Sequence, residues 1–218
     1  MRAEKRAGMR KARPIGRPRD ERADRAILQA TLELIAERGV HGFRTDDVAA
    51  RAGVGKGAIY RRHPSKDDLT MAAVAALVDE EIVVPDTGST RADLLALMRE
   101  AVELYRGSLP GRLMPNLVSA MAERPELARV VREGFLVRRR LALTEVLHRG
   151  VERGDLRPDV DLELVLDVLG GPLFYRLLIT GGPIDEELAE GVTELILRGF
   201  APDKPGRAKS KRTAKEHS

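Results

Sequence analysis

The 218-residue sequence contains no cysteine, few aromatic residues and no long apolar run. The absence of cysteine excludes disulfide bonds, thiolate metal sites and cysteine nucleophiles together. The longest unbroken apolar run, Met71 to Val78, is far shorter than the ~20 residues that a membrane-spanning helix needs. No signal-peptide pattern opens the chain. These absences predict a soluble, cytoplasmic protein that does not enter a membrane.

Basic residues are concentrated at the two ends of the chain. Residues 1–19 hold eight Arg and Lys against one acidic residue, and residues 201–218 hold six against two. Because the whole chain has a net charge of only +4, the intervening segment 20–200 is acidic. We expect a disordered basic arm over 1–19 and a disordered basic tail over 201–218. Such ends either bind nucleic acid or are simply solvated, and their composition leaves both alternatives open.

The segment 20–200 is predicted to be almost entirely helical. Aromatic residues make up 3% of the chain, alternating apolar and polar runs are absent, and Leu, Ala, Glu and Arg dominate. The fold class is therefore all-α, with a three-helix helix-turn-helix domain over 20–69 and a larger helical bundle over 70–200. Caps and Gly or Pro breakers predict about nine helices, at 20–38, 45–52, 55–62, 65–84, 89–107, 111–122, 125–153, 161–180 and 185–199.

Two short helices joined by a glycine form the most informative pattern. Val48 and Ala49 on the first helix and Ile59 on the second place compact apolar side chains where two helices must approach closely. Gly53 between them gives the tight turn the backbone freedom that it needs. This arrangement fits a helix-turn-helix, whose second helix can lie in a major groove while nearby basic residues hold phosphates.

The stretch from Phe43 to Leu69, FRTDDVAARAGVGKGAIYRRHPSKDDL, resembles the DNA-binding domain of TetR-family transcriptional regulators. With the preceding helix, the resemblance covers residues 20–69. It implies an all-α homodimer whose C-terminal bundle binds a small molecule and dimerises through its last two long helices. It also implies that the partner is double-stranded DNA carrying a palindromic operator.

The resemblance also implies which side chains meet DNA. Lys56, Gly57 and Ala58 would lie nearest the bases, and Tyr60 would give its hydroxyl to a phosphate. Gly55 stands where the family often has a capping Ser, so we expect weak capping of the recognition helix. The full set of predicted DNA-binding residues is Arg17, Arg19, Arg44, Thr45, Lys56, Gly57, Ala58, Tyr60, Arg61, Arg62 and Lys66.

The four residues Gly16-Arg17-Pro18-Arg19 resemble the core of an AT-hook. In an AT-hook, an extended Arg-Pro segment lays arginine into a narrow A·T minor groove, where the negative potential is concentrated. The alternative interpretation is an unstructured basic tail with no groove preference.

Large or adaptable side chains in the bundle are candidates for a ligand pocket. At helical spacing each of them is a core residue by default, but a cavity between helices is lined by the same residue types. The predicted pocket residues are Met98, Tyr105, Met114, Met121, Phe135, Phe174, Tyr175 and Arg176.

Two apolar stripes near the end of the bundle are candidates for the dimer interface. They could be interior to one bundle or half of a four-helix interface across a two-fold axis, and the family resemblance favours the interface. The predicted interface residues are Leu166, Leu169, Gly170, Leu173, Leu177, Leu188, Val192, Leu195 and Ile196.

The sequence therefore predicts a homodimeric, ligand-responsive DNA-binding regulator, most simply a repressor, that acts at the bacterial nucleoid and is released by a small-molecule effector. One alternative is a constitutive or architectural DNA-binding protein without an effector, and a filled bundle would favour it. An all-α enzyme is the other alternative, but the sequence offers no nucleophile–base pair, metal cluster or cofactor motif. No catalytic residue, metal or cofactor is predicted.

Overall fold

The computed structural model describes residues 17–77 and 82–202, with side chains from Glu21 onward. Within these ranges the chain is helical, contains no strand, and has no helix long and apolar enough to cross a membrane. The α-helices are α1 (Arg17–Arg38), α2 (Thr45–Ala52), α3 (Lys56–Tyr60), α4 (Lys66–Leu77), α5 (Thr90–Tyr105), α6 (Leu109–Met121), α7 (Pro125–Val131), α8 (Val137–Glu152), α9 (Leu162–Tyr175) and α10 (Glu186–Gly199).

Two π-helical turns interrupt the regular helices of the bundle. The first, Arg132–Leu136, joins α7 to α8 without a break, and the second, Arg176–Thr180, extends α9. With α7 and α8 counted as one continuous helix, the described residues form nine helices. The predicted all-α fold class is confirmed.

The first helix begins earlier than predicted. The predicted helix starts at residue 20, whereas α1 starts at Arg17, so the backbone of Arg17-Pro18-Arg19 lies in the first helical turn. A proline is tolerated there because the first turn does not use its missing N–H. The extended conformation that an AT-hook requires is therefore not the one present. The rest of the basic arm, the tail from residue 203 onward and the side chains of Arg17 and Arg19 lie outside the described residues.

The helix-turn-helix is built around one small core. Ile27 and Leu34 on α1, Val48 on α2 and Ile59 on α3 are all fully buried. Gly53 ends α2 with a φ of 65°, a left-handed conformation that glycine adopts without strain. The predicted turn therefore forms as expected.

Helix α2 begins at the predicted position, Thr45, and is capped by the residue before it. Arg44 is the N-cap residue, and its backbone N–H donates to the Asp47 carboxylate at 2.7 Å. That hydrogen bond, with Arg38 nearby, lowers the pKa of Asp47. Thr45 is the first helical residue and is buried.

The bundle is attached directly to the N-terminal helices. Leu113 and Leu117 of α6 and Leu127 of α7 are buried in the same core cluster as the residues of α1 to α4. The Asn116 amide donates to the carbonyl oxygens of Ile35 at 2.9 Å and Ala36 at 3.2 Å, near the end of α1. Movement of α6 would therefore be transmitted to α1.

The apolar stripe predicted for the dimer interface is largely the interior of the bundle, so the prediction is wrong for most of it. Gly170 lies beside a cavity, Leu177 is half-buried, and Leu195 alone is clearly exposed. The physical reason is that α9 is apolar on both faces, so helical spacing cannot say which face is covered by its own chain. Six of the nine residues are at most 6% exposed within one chain: Leu166, Leu169, Leu173, Leu188, Val192 and Ile196.

Candidate DNA interface and ligand cavity

Helix α3 presents most of the predicted base-reading residues to solvent. Its only buried residue is Ile59, which anchors the helix to the core. Lys56 and Gly57 are exposed, Ala58 is half-exposed, and Tyr60 is 45% exposed. Gly55 is the N-cap residue and offers no side-chain hydrogen bond, so the first turn of α3 has free N–H groups that can meet a phosphate.

One acidic residue of the domain competes with DNA for a predicted contact. The Lys56 ammonium lies 2.6 Å from the Asp46 carboxylate, and this hydrogen bond raises the pKa of Lys56. Because both side chains are more than half exposed, the pair is weak and a phosphate or base can replace Asp46. Arg44 and Arg61 are exposed beside α3 and remain predicted phosphate ligands.

Two predicted phosphate ligands are instead turned toward the protein. Arg62 donates to the Ala58 carbonyl at 3.0 Å and has its Nε 3.5 Å from the Asp24 carboxylate. Lys66 donates to the His41 carbonyl at 3.0 Å, with its ammonium 4.3 Å from the centre of the Phe43 ring. Arg62 satisfies a carbonyl at the end of α3, and Lys66 ties the start of α4 to the loop before α2.

The environments of these two cations account for their orientation toward the protein. Burial lowers the pKa of Lys66, because its ammonium is partly desolvated. Asp24 on α1 supplies the opposite charge for Arg62 and lies 3.7 Å from His63. Sequence reasoning did not identify Asp24, because its partners lie on a different helix and only the tertiary fold brings them together.

A cavity of about 440 Å³ lies in the bundle among α5, α8 and α9. Met98, Tyr105 and Phe174 line it, as predicted from their residue types. The Tyr105 ring meets the Phe174 ring edge-on, with 5.4 Å between the ring centres. Burial raises the pKa of the Tyr105 phenol, so its hydroxyl remains protonated and can donate a hydrogen bond at neutral pH.

The other predicted pocket residues do not line this cavity. Met114 belongs to the bundle core, and Met121 packs against the N-terminal core. Phe135 is buried outside the cavity lining, and its ring centre lies 6.2 Å from that of the lining residue Tyr105. Tyr175 is 58% exposed, and Arg176 donates to the Pro183 carbonyl. The angular position of each residue around its helix axis determines whether its side chain faces the cavity. Residue type does not encode that position, so these pocket predictions are wrong.

Three charged residues at the cavity were not predicted. Arg139 and Arg140 on α8 and Asp167 on α9 all line it. Adjacent arginines on a helix are usually solvated, so nothing in their spacing distinguishes them from surface residues. Within the described part of the chain, no group of three or more His, Asp or Glu side chains is arranged to hold a metal ion.

The comparisons with known proteins match both halves of this architecture. Residues 27–73 match the model described as "Bacterial regulatory proteins, tetR family", and residues 84–196 match "Tetracyclin repressor-like, C-terminal domain". Over 187 residues the chain is 35% identical to the uncharacterized HTH-type transcriptional regulator YdeS of Bacillus subtilis, covering 85% of this chain and 91% of that protein. The chain belongs to the TetR family.

Two further relatives agree with this assignment. The TetR-family chain is 35% identical over 183 residues to the DNA-binding transcriptional repressor TetR of Mycobacteroides abscessus, covering 82% of this chain and 94% of that protein. It is 32% identical to the TetR family transcription regulator SCO0332, whose crystal structure gives a TM-score of 0.61 over 83% of this chain and 99% of that one.

The two matched regions separate the functional parts of this TetR-family regulator. The N-terminal match contains all of α2 and α3, which form the helix-turn-helix. The C-terminal match contains every residue that lines the cavity except Ile82. The protein is therefore a helix-turn-helix transcriptional regulator with its candidate ligand cavity in the other region.

Proposed function

We propose that this regulator is a homodimeric repressor that binds a palindromic operator through α3 and leaves it when a small molecule fills the cavity. The observation that carries the proposal is the cavity of about 440 Å³ in a bundle attached to the DNA-binding helices. Ligand sites typically have volumes of roughly 300–1,000 Å³. The cavity counts against a constitutive DNA-binding protein, for which a filled bundle is expected.

The operator contact follows from the exposed face of α3. Lys56 and the backbone at Gly57 would read base edges in the major groove, while Tyr60, Arg44 and Arg61 would hold phosphates. The basic arm would add minor-groove or electrostatic contacts on the flanking DNA. Two such helices about one DNA turn apart, roughly 34–36 Å, match a palindrome, and the target is nucleoid DNA in the bacterial cytoplasm.

The proposed dimer interface is the outer face of α9 with part of α10. Leu164, Tyr175 and Ile179 follow one another along that face, and Leu195 on α10 is also exposed. A second copy of the chain is the occupant that suits this surface, because one patch meeting itself across a two-fold axis forms a closed dimer. Gly171 lies between Leu164 and Tyr175 at the edge of the cavity, and an ideal Cβ there would have no neighbour within 4 Å.

Coupling between the cavity and DNA would run through α6 to α8. Helix α8 lines the cavity and continues through the π-helical turn into α7, where Arg124 forms an ion pair with Asp67 of α4. Asn116 of α6 holds the end of α1. An effector that prefers an arrangement with the wrong spacing between the two DNA-binding domains would shift the population away from the operator-bound state.

A footprint on the DNA that flanks the gene for this chain tests the proposal. We expect a protected palindrome that is lost when an effector is added, and the same protein should sediment as a dimer. Protection without symmetry, or protection that no ligand of the cavity relieves although the ligand binds, would contradict the effector-released repressor and favour constitutive DNA binding.

A further inference from the structure

The charged residues at the cavity are not equally engaged. Arg140 is held by two carboxylates: its Nη1 lies 2.8 Å from Asp167, and its Nη2 pairs with Glu163. The Arg140 guanidinium is therefore shared between two carboxylates, and one of them, Asp167, is the acidic residue among the described residues that line the cavity.

Among the residues that the structure describes, Arg139 pairs with one carboxylate only. Its ion-pair contact is a single long one, 3.4 Å from Nη2 to the Glu100 carboxylate, and Glu100 is itself about half exposed. The Arg139 side chain is only 20% exposed and lies 5.3 Å from the centre of the Phe135 ring. A guanidinium carries five N–H donors, and within the described ranges the Glu100 contact occupies one nitrogen of Arg139.

The rest of the cavity is suited to an apolar body. Leucine, methionine, alanine and aromatic side chains supply most of its surface, with Leu97, Leu143 and Leu173 among them. Among the described residues, Tyr105 has no hydrogen-bond partner for its hydroxyl, and the ring itself is part of the lining. A neutral phenol and an under-used guanidinium are both hydrogen-bond donors, which an anionic acceptor would satisfy.

We propose that the ligand of this cavity is an apolar molecule that carries one anionic group, of the carboxylate class, bound by Arg139. The proposal rests on the proposed function only in taking the cavity as the effector site. A quaternary ammonium is the contrasting candidate, since aromatic rings also bind cations. Arg139 lines the cavity and would repel it, whereas the Asp167 carboxylate is largely exposed and already pairs with Arg140.

A set of ligands that differ only in head-group charge tests the class directly. Decanoate, 1-decanol and decyltrimethylammonium share the same alkyl chain, and calorimetric titration of the full-length protein measures the affinity of each. We expect decanoate to bind about tenfold or more tightly than decanol, because a charged hydrogen bond in a partly desolvated site is worth at least that factor. Equal or tighter binding of the other two ligands, or no decanoate binding, would overturn the proposal.

Three variants assign the preference to Arg139. Arg139→Met should bind decanoate and decanol about equally, and Arg139→Lys should keep part of the preference for decanoate. Arg106→Met is the charge-matched control, because Arg106 is exposed on the surface after α5 and does not line the cavity. Retained preference in Arg139→Met, or the same loss in Arg106→Met, would contradict the assignment. If Arg139→Met failed to fold, the assignment would still be tested by comparing the preference for decanoate over decanol in the wild type with that in Arg139→Lys.

The failure of this proposal can be distinguished from failure of the repressor function. The same preparation is footprinted on its operator without any ligand. Protection of a palindrome together with no preference for decanoate would overturn the ligand class alone. Strong decanoate binding without any protected site would leave the ligand class standing and overturn the proposed function.

Discussion

Replacing Tyr175 with aspartate should dissociate the dimer while leaving each protomer folded. A fully buried tyrosine removes roughly 200 Å² from water, and 58% of Tyr175 is exposed in the single chain. Pairing therefore buries about 100 Å² per protomer at this position, which is worth ~2.5 kcal/mol. The two-fold axis doubles this contribution to ~5 kcal/mol.

The introduced carboxylate adds a second penalty. An unpaired charge buried in the interface costs several kcal/mol, and the symmetry places two of them there. The combined loss of roughly 10 kcal/mol approaches the ~12 kcal/mol that holds a nanomolar complex together. In the separated protomer the same aspartate faces water, where surface substitutions usually change stability by less than about 0.5 kcal/mol.

Sedimentation and circular dichroism on Tyr175→Asp provide the measurement, with Leu173→Asp as the contrasting variant. Leu173 is 3% exposed inside the bundle, so its aspartate should unfold the chain instead of separating dimers. We expect a folded monomer with weak operator binding for Tyr175→Asp, because one DNA-binding domain lacks the coupled second contact. If Tyr175→Asp remains a stable dimer that still binds DNA, the interface lies elsewhere. If Leu173→Asp is instead a folded monomer, the originally predicted interface stripe that includes Leu173 is the correct one.

Three further predictions concern the DNA-binding domain. Tyr60→Phe should weaken binding to all DNA sequences alike, measured by titration on specific and random duplexes, because the hydroxyl meets phosphate; a loss confined to the operator would assign Tyr60 to base reading. Deleting residues 1–19 should cost most affinity on operators with A·T-rich flanks, whereas equal losses on G·C-rich flanks would reduce the arm to general electrostatics. The pKa of Asp47 is lowered in the folded state, so its stabilising effect is present above the unfolded value of about 3.9 and is lost as the pH falls through the folded value. Asp47→Asn should therefore show a smaller drop in melting temperature between neutral and acidic pH than the wild type, and an unchanged drop would contradict this role.

The local elements of the DNA-binding domain could be predicted because their signals are local. Gly53 sets the turn through its backbone freedom, and Gly55 leaves α3 without a side-chain cap, as the sequence indicates. The limits of the helices after residue 89 also follow from breakers such as Pro125 and Gly181. Each of these features depends on a residue and its immediate neighbours.

The spacing of residues along the sequence does not indicate which way each side chain points in the folded protein. The positions of Arg62 and Lys66 in the sequence predict phosphate ligands. In the structure Arg62 instead contacts Asp24, and Lys66 contacts the His41 carbonyl. Both partners come from distant parts of the chain. Similarly, Arg139 and Arg140 are neighbours in the sequence, yet α5 supplies a carboxylate to the first and α9 supplies carboxylates to the second.

Sequence alone determined that the chain is all-α and contains a helix-turn-helix, because helix propensity, caps, breakers and the α2–α3 turn are properties of short segments. The role of a regulator was implied by the resemblance of that segment to the TetR family. Only the tertiary structure decided which face of α9 is outside. Leu173 and Tyr175 are two residues apart on an apolar helix, yet one is buried by its own bundle and the other is exposed. Periodicity specifies that a helix has faces, whereas the helices that pack against it determine which face is covered.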